Sequence, residues 1–173
     1  KKHPYGQVSN LLYQLSSGNY FTGIHRISKH FHFPHGAPQV IMIANGTGIG
    51  PFIGMLHDDT SNTPRRLLWG VRNHASLDPV ADIFDAAQNS GLLSQLHLAF
   101  SREESQYHYV QDIITAHANE FAREMAAGAV VMICGSLAMQ KGVFAALEEA
   151  LQQSDMGTLA HYQNTGQVLT DCY

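Results

Sequence analysis

Charge of either sign is scarce in this sequence. Charged residues make up 14% of the 173 residues, and the fourteen acidic side chains outnumber the ten basic ones. Because there is no basic excess to neutralise phosphates, we expect no nucleic-acid partner. The strongest apolar run, residues 129–134, is far shorter than the roughly 20 residues of a membrane helix, so we predict no membrane span in this chain.

Cysteine is also nearly absent. The chain has two cysteines, Cys134 and Cys172, which are too few for a disulfide framework. We therefore expect a reducing compartment, either the cytoplasm or the cytoplasmic face of a longer, membrane-tethered protein. The sequence begins at Lys1 without a methionine and without a signal-like apolar segment, which predicts a piece of a longer polypeptide.

What the chain does have is an alternation of strand-like and helix-like segments. Continuous apolar runs predict buried strands, and apolar residues at helical spacing predict helices between them. The predicted strands are residues 40–44, 67–71, 97–100, 129–134 and 167–173; the predicted helices are 51–57, 78–91, 110–128 (long or broken) and 136–151. This order favours an α/β fold, a doubly wound sheet of five parallel strands.

The first 37 residues have a different character. Residues 8–15 have the pattern of a short helix, residues 21–33 look extended, and residues 34–36 interrupt that segment. A stretch of this length is too short to bury a core of its own. We therefore predict that residues 1–37 end a preceding domain and that residues 38–173 form one complete domain.

The first predicted strand leads into a glycine-rich segment, residues 45–52. In doubly wound sheets, ligands bind beyond the C-terminal strand ends, where the strand order reverses. The glycines let the backbone approach a ligand, and the helix N-terminus that follows suits a pyrophosphate. The segment is neither a Walker loop nor a G-x-G-x-x-G motif, because no Lys-Ser/Thr follows and Pro51 stands at the third glycine's position. A tight turn without a ligand is the alternative.

Two other strand ends have candidate residues. Ser101 and Arg102 follow the third strand, where a hydroxyl and a guanidinium can grip a phosphate monoester; the alternative is a solvated surface arginine. Cys134 ends the fourth strand and is followed by Gly135 and Ser136. A cysteine in such a place is usually a small buried side chain.

Taken together, these segments resemble the NADP-binding module of the ferredoxin–NADP reductase superfamily. The resemblance lies in residues 46–52, 101–103 with 109–111, 134–135 and 171–173, in the family's order and at similar spacing. Within that superfamily, the branch of cytochrome P450 reductase and the sulfite reductase flavoprotein subunit is most similar. The likeness extends from about residue 38 to residue 173.

The resemblance implies a set of residues that bind NADPH. The 2′-phosphate would be held by Ser101 and Arg102, and the pyrophosphate by residues 46–51. Relatives often have a lysine where Tyr107 stands here, so one cation of the phosphate clamp is lost and the preference for NADP over NAD weakens. The implied binding residues are Gly46, Thr47, Gly48, Gly50, Pro51, Arg72, Ser101, Arg102, Tyr109, Gln111, Gly135 and Ser136.

Three further residues are implied to act at the nicotinamide end. Asp171 would stabilise the positive charge that develops on the ring, and Cys134 would help to orient the reactive carbon toward a flavin. Tyr173 would stack on the isoalloxazine of FAD and move aside for the nicotinamide. Some relatives have aspartate where Ser136 stands here.

The N-terminal part resembles the family's FAD domain at Gly6 and Ser9, which match residues that bind the flavin pyrophosphate. The rest of that domain, including its Arg-x-Tyr-Ser-type motif, is missing from the sequence. The implied function is an NADPH-dependent reductase module that passes hydride to FAD and electrons to an FMN domain, a flavodoxin-like protein or a haem protein. The alternative is an isolated nucleotide-binding fragment without turnover, because its flavin site is incomplete.

Eleven histidines raise a third hypothesis, a metal-binding segment. Strand alternation would place His30 and His32 on one face, with His35 nearby. No cysteine or carboxylate joins them nearby in the sequence. A solvated edge of the preceding domain is therefore favoured, and we predict no metal site.

Overall fold

The computed structural model describes residues 7–24, 28–57 and 61–173. Five strands form one parallel sheet with the spatial order third, second, first, fourth, fifth. In chain order they are β1 (Val40–Asn45), β2 (Arg65–Val71), β3 (Leu93–Phe100), β4 (Val130–Gly135) and β5 (Val168–Cys172). The predicted fold class, a doubly wound parallel α/β sheet, is confirmed.

β1 is the central strand and β4 is its interior neighbour, and these two strands are the most apolar of the sheet. Residues 40–44 and all six residues of β4 are buried. The strands pair in register, from Val40 opposite Val130 to Ala44 opposite Cys134. Because helices cover both faces of a parallel sheet, both sets of side chains on such strands are apolar.

Helices pack on both faces of the sheet. The helices are α1 (Gln7–Gln14), α2 (Gly50–His57), α3 (Ala81–Asn89), α4 (Val110–Ala116), α5 (Ala118–Ala126), α6 (Leu137–Gln153) and α7 (Leu159–Asn164). Phe52 of α2 and Phe84 of α3 share one core with Met42. The other core, against Ile41, holds α4 to α7.

Two strands begin earlier than predicted. β2 begins at Arg65, because both of its arginines are buried. The Arg66 guanidinium lies 4.1 Å from the centre of the Phe121 ring and 3.1 Å from Glu124. β3 begins at Leu93, although its first half is largely polar, because an edge strand is covered less completely.

The predicted helices agree with the structure in part. The helix of residues 110–128, predicted as long or broken, is broken: two helices meet at His117, whose backbone is not helical (φ −118°, ψ 29°). α3 begins at Ala81 rather than at Asp78, and α7 was not predicted. The predicted stops at Gly91 and Gly128 are confirmed, since both follow a helix with positive φ, 78° and 98°.

The predicted short helix near the N-terminus is confirmed as α1, but the prediction of an extended segment at residues 21–33 is wrong. Its described parts, residues 21–24 and 28–33, contain no strand, and residues 29–32 bend. Phe31 is buried against Phe52, with 5.9 Å between the ring centres. Packing against α2 therefore decides the course of this segment, and His30 and His32 do not share a strand face.

Candidate functional site

The strand order reverses between β1 and β4. From β1 the chain moves outward to β2 and β3 and then returns to the other side of β1. The loops after β1 and β4 therefore leave the sheet in opposite directions and open a crevice at its C-terminal edge. One loop is a 3-10 turn, Gly46–Ile49, and the other begins at Ser136.

A cavity of about 410 Å³ lies at this edge. Residues of five separate segments meet around it, among them the residue directly after β1 and the residue directly after β4. Six of the predicted binding residues line the cavity: Gly46, Arg72, Ser101, Tyr109, Gln111 and Ser136. Its other lining residues are Asn45, Gly70, Val71, His108, Val110, Ala138 and Met139.

The glycines of the first loop have different roles. Gly46 has φ +51°, and its carbonyl accepts a hydrogen bond from the Trp69 indole at 3.0 Å. Gly48 is buried, and a Cβ there would lie 2.2 Å from the carbonyl oxygen of Cys134. Gly48 therefore lets the loop pack onto β4, while the exposed Gly46, Thr47, Gly50 and Pro51 remain open to a ligand.

The end of β1 is tied to the end of β4 by one side chain. Asn45 Oδ1 accepts a hydrogen bond from the backbone N–H of Ser136 at 2.9 Å, and Asn45 Nδ2 donates to Ser136 Oγ at 3.1 Å. Gly135 makes room for this pair, because a Cβ there would lie 2.1 Å from Asn45 Oδ1. The sequence prediction missed Asn45, whose only signal is an amide side chain at the end of an apolar strand.

Two cations lie on neighbouring strand ends. The backbone N–H of Arg102 donates to the carbonyl of Arg72 at 3.0 Å, and Ser101 N–H donates to Val71 at 2.9 Å. Both arginines are exposed, and neither guanidinium has a hydrogen-bonding or ion-pair partner within residues 7–24, 28–57 and 61–173. The carboxylate of the adjacent Glu103 is bonded instead to the backbone N–H and the imidazole of His74. This corner is suited to bind an anion.

The N-terminus of α4 forms another wall of the cavity. Tyr109 is 56% exposed, and its backbone N–H donates to Asp112 at 2.8 Å. Gln111 packs on α6 at Gly142, where an added Cβ would come within 3.1 Å of the Gln111 amide carbon. An exposed aromatic ring therefore lines this wall of the cavity.

Neighbouring residues 107 and 108 lie in different surroundings. Tyr107 packs against the core that holds α4 to α7, with its hydroxyl 3.3 Å from His117 Nε2. His108 lines the cavity, with its Nδ1 3.2 Å from the carbonyl oxygen of Phe100. The sequence prediction missed His108, because no local pattern shows which of two adjacent aromatic residues in a loop faces the cavity.

Cys134 and Asp171 are direct neighbours in the β4–β5 register. Burial, followed by the Asp171 and Cys172 charges, raises the pKa of the Cys134 thiol to about 11. The thiol is therefore protonated at neutral pH, and Asp171 remains exposed at the sheet edge. Cys172 packs against the opposite core, and burial raises its thiol pKa as well.

Tyr173 connects the loops after β1 and β4. Its backbone N–H donates to the Gly135 carbonyl at 2.9 Å, and its hydroxyl lies 2.8 Å from Thr47 Oγ1. The ring is 70% exposed. It therefore lies beside the crevice, held at one end by the backbone and at the other by a single hydroxyl contact.

The structure gives little about the two residues predicted to bind the flavin pyrophosphate. Gly6 lies outside the described residues, and Ser9 belongs to α1 with its side chain outside the description. In the described part of the chain, no three His, Cys, Asp or Glu side chains are grouped so that they could hold a metal ion. Nor does any helix in that part have the length and hydropathy needed to cross a membrane.

Comparison with known proteins agrees with this geometry. Residues 42–144 match the family described as oxidoreductase NAD-binding domain. The chain belongs to this family. The match includes the loop after β1, the strand ends that carry Arg72 and Arg102, and the end of β4. It confirms the resemblance inferred from the motifs.

Curated relatives place the match within larger proteins. The chain is 35% identical to the sulfite reductase [NADPH] flavoprotein alpha-component of Thiocapsa roseopersicina, over 66% of this chain and 22% of the relative. It is 30% identical to the NADPH–cytochrome P450 reductase of Dictyostelium discoideum, over 73% of this chain and 21% of the relative. A self-sufficient cytochrome P450 monooxygenase of Oidiodendron maius is 32% identical over 80% of this chain and 14% of its own length. The alignments cover less than a quarter of each relative.

Proposed function

We propose that this chain is the NADPH-binding part of a flavoprotein reductase. It would position NADPH for hydride transfer to FAD, and electrons would then pass to an FMN domain, a flavodoxin-like protein or a haem protein. The observation that carries this proposal is the cavity at the strand-order reversal, lined by a glycine loop, two serine hydroxyls and Arg72. Membership of the oxidoreductase NAD-binding domain family supports it.

The donors at the cavity fit the anionic groups of NADPH. The pyrophosphate would bind at the exposed part of the loop and at Ser136, and the 2′-phosphate at Ser101 and Arg102 with Arg72 nearby. The Ser101 hydroxyl, which donates to the Val71 carbonyl at 3.3 Å, would turn to the phosphate. Neither guanidinium has a side-chain partner in the described part of the chain, so each is available for a charge-assisted bond. Tyr109 and Gln111 would contact the adenosine.

At the other end of the nucleotide, NADPH supplies a hydride and FAD accepts it. Cys134 would contribute a neutral thiol, since its raised pKa keeps the proton on sulfur. Asp171 would contribute a carboxylate that stabilises positive charge on the nicotinamide. Tyr173 would cover this place in the absence of nucleotide and release it by breaking its contact with Thr47.

We propose that FAD is held mainly by other parts of a longer cytoplasmic protein, to which residues 1–37 belong as the end of a flavin domain. The second candidate is nucleotide binding without turnover, favoured by the small share of each relative that the chain matches. Absorbance of the full-length protein separates the two. Bleaching of a 450 nm flavin band by NADPH would contradict the second candidate, while NADP⁺ binding without bleaching would support it.

Titration calorimetry tests the binding proposal. We expect NADP⁺ to bind more tightly than NAD⁺, and Arg102→Ala to weaken NADP⁺ at least tenfold with less than twofold change for NAD⁺, because one charge-assisted bond to the 2′-phosphate is lost. Arg123→Ala is the matched control, since it removes an exposed cation that lines a different cavity. Equal loss in both variants, or no loss in Arg102→Ala, would contradict the assignment.

Asp171→Asn tests the proposed role at the nicotinamide. In the full-length protein, stopped-flow absorbance should show slower flavin reduction by NADPH, because the amide no longer stabilises positive charge. NADP⁺ affinity should change little. An unchanged reduction rate would remove Asp171 from the proposed mechanism.

A further inference from the structure

The orientation of the Asn45 amide is fixed by its hydrogen bonds. Its Oδ1 lies 2.9 Å from the backbone nitrogen of Ser136, and its Nδ2 lies 3.1 Å from Ser136 Oγ. A backbone N–H can only donate, so the amide oxygen must face it. The amide nitrogen therefore faces the hydroxyl, and Ser136 Oγ is the acceptor of that bond.

Ser136 Oγ accepts a second hydrogen bond as the N-cap of α6, from the backbone N–H of Met139 at 3.2 Å. A hydroxyl has two acceptor positions and one O–H group to donate. Both acceptor positions are thus occupied. The O–H group is the part of Ser136 left for a ligand, and Ser136 lines the cavity.

The loop backbone maintains this arrangement. Gly135 has φ +145°, and any Cβ at that position would displace the Asn45 amide, from which it would be only 2.1 Å away. The absence of a side chain at residue 135 therefore allows the side chain of Asn45 to reach Ser136. Asn45 at the end of β1 and Gly135 at the end of β4 together determine the hydrogen-bonding character of the Ser136 hydroxyl.

We propose that Asn45 is a positioning residue, which acts through Ser136 to present that residue's O–H to the pyrophosphate of NADPH. This inference rests on the proposed function. Phosphate oxygens only accept hydrogen bonds, so a donor at residue 136 complements them. An aspartate at residue 136 would cap a helix equally well but would carry a charge of the same sign as the pyrophosphate. The Asn45–Ser136 pair thus supplies a neutral donor where an aspartate would supply an anionic acceptor.

Titration calorimetry with two ligands tests the role of Ser136. NADP⁺ has a pyrophosphate, whereas 2′-AMP has only the 2′-phosphate and adenosine. We expect Ser136→Ala to weaken NADP⁺ about tenfold and leave 2′-AMP unchanged, because only the pyrophosphate loses a donor. Ser136→Thr keeps a hydroxyl and a cap and should retain wild-type affinity. Equal NADP⁺ affinity of the alanine and threonine variants would overturn the proposal.

A double-mutant cycle tests whether Asn45 acts through Ser136. Asn45→Asp can no longer donate to Ser136 Oγ, so the hydroxyl turns its O–H to the new carboxylate instead of to the ligand. We expect its loss of NADP⁺ affinity to be at least threefold larger in the wild-type background than in the Ser136→Ala background, where only the added charge acts. Equal losses in both backgrounds would overturn the proposal.

Two controls separate this result from other effects. Thermal unfolding followed by the fluorescence of Trp69, the single tryptophan, reports whether each variant is folded. The Ser136→Ala and Ser136→Thr pair decides the proposal even if Asn45→Asp does not fold. A wild-type chain that fails to bind NADP⁺ would refute the proposed function itself, whereas wild-type binding with an additive cycle would refute only this inference.

Discussion

Gly48 is the position where one added methyl group should do the most damage to the nucleotide loop. A Cβ at this residue would lie 2.2 Å from the Cys134 carbonyl oxygen, 2.6 Å from its carbon and 2.9 Å from the Gly135 Cα. All three atoms belong to the backbone of β4 and its end, so no side chain can rotate away. Gly48→Ala therefore forces the 3-10 turn away from the sheet.

The size of the effect follows from the distance. Ordinary van der Waals contact begins at 3.4 Å, so the shortest contact must lengthen by about 1.2 Å from 2.2 Å. Overpacking of this kind costs about 1–3 kcal/mol, and we expect the upper part of that range because the obstacle is backbone. In a chain of this length, about 2–3 kcal/mol lowers the midpoint of thermal unfolding by roughly 4–12 °C.

Two other glycines of the same loop serve as controls. Gly46 has φ +51° with nothing near its absent Cβ, so alanine there should cost about 1–2 kcal/mol through backbone strain alone. Gly50 has helical angles (φ −52°, ψ −51°) and open space, so alanine should stabilise by about 0.4–1 kcal/mol. Urea unfolding followed by Trp69 fluorescence measures all three. A Gly48→Ala variant as stable as Gly50→Ala would refute the packing argument.

Three further predictions concern single groups. Burial, then the charges of Arg66 and His117, lowers the pKa of His97 below its ordinary 6.5, so the unfolded chain takes up the proton first and the free energy of unfolding should decline as pH falls below about 6.5. Urea titrations should show a flatter decline for His97→Gln, and equal slopes for the variant and the wild type would contradict the prediction. Because the pKa of Cys134 is raised from 9.0 to about 11, it should have about a hundredfold less thiolate at pH 8 than a free cysteine. Its labelling by iodoacetamide, followed by mass spectrometry, should be correspondingly slow, and labelling at the rate of a free thiol would contradict this. Tyr173→Phe removes the hydroxyl that contacts Thr47, so calorimetry should show about two- to tenfold tighter NADP⁺ binding. Weaker binding would contradict the proposal that Tyr173 covers the nicotinamide position in the absence of nucleotide.

The sequence predicts β1 and β4 better than the starts of β2 and β3. The apolar runs of β1 and β4 identify them because helices bury both faces of the strands. The start of β2 is not apolar, because it holds two buried arginines, Arg65 and Arg66. Their burial depends on residues far away in sequence: Phe33, Phe121 and Glu124. A pattern of local hydropathy has no access to such partners.

The site was predicted in the same uneven way. Residues that follow a strand, such as Ser101 and Arg102, could be chosen because parallel strands end at a common edge. Asn45 could not be recognised from the sequence, since its importance depends on β4 lying next to β1, and strand order is a property of the whole fold. The inward turn of Tyr107 and the cavity position of His108 likewise depend on how the chain packs between β3 and α4.

Amide chemical-shift mapping of the ¹⁵N-labelled chain during titration with NADP⁺ tests the central claim most directly. A second cavity, of about 510 Å³, is lined by residues of α4, α5 and α6 around His117 and Arg123 and provides an internal comparison. The largest shifts should occur at residues 46–50, 101–102 and 135–136. The absence of shifts there, or shifts concentrated around the second cavity, would contradict the assignment of the nucleotide site.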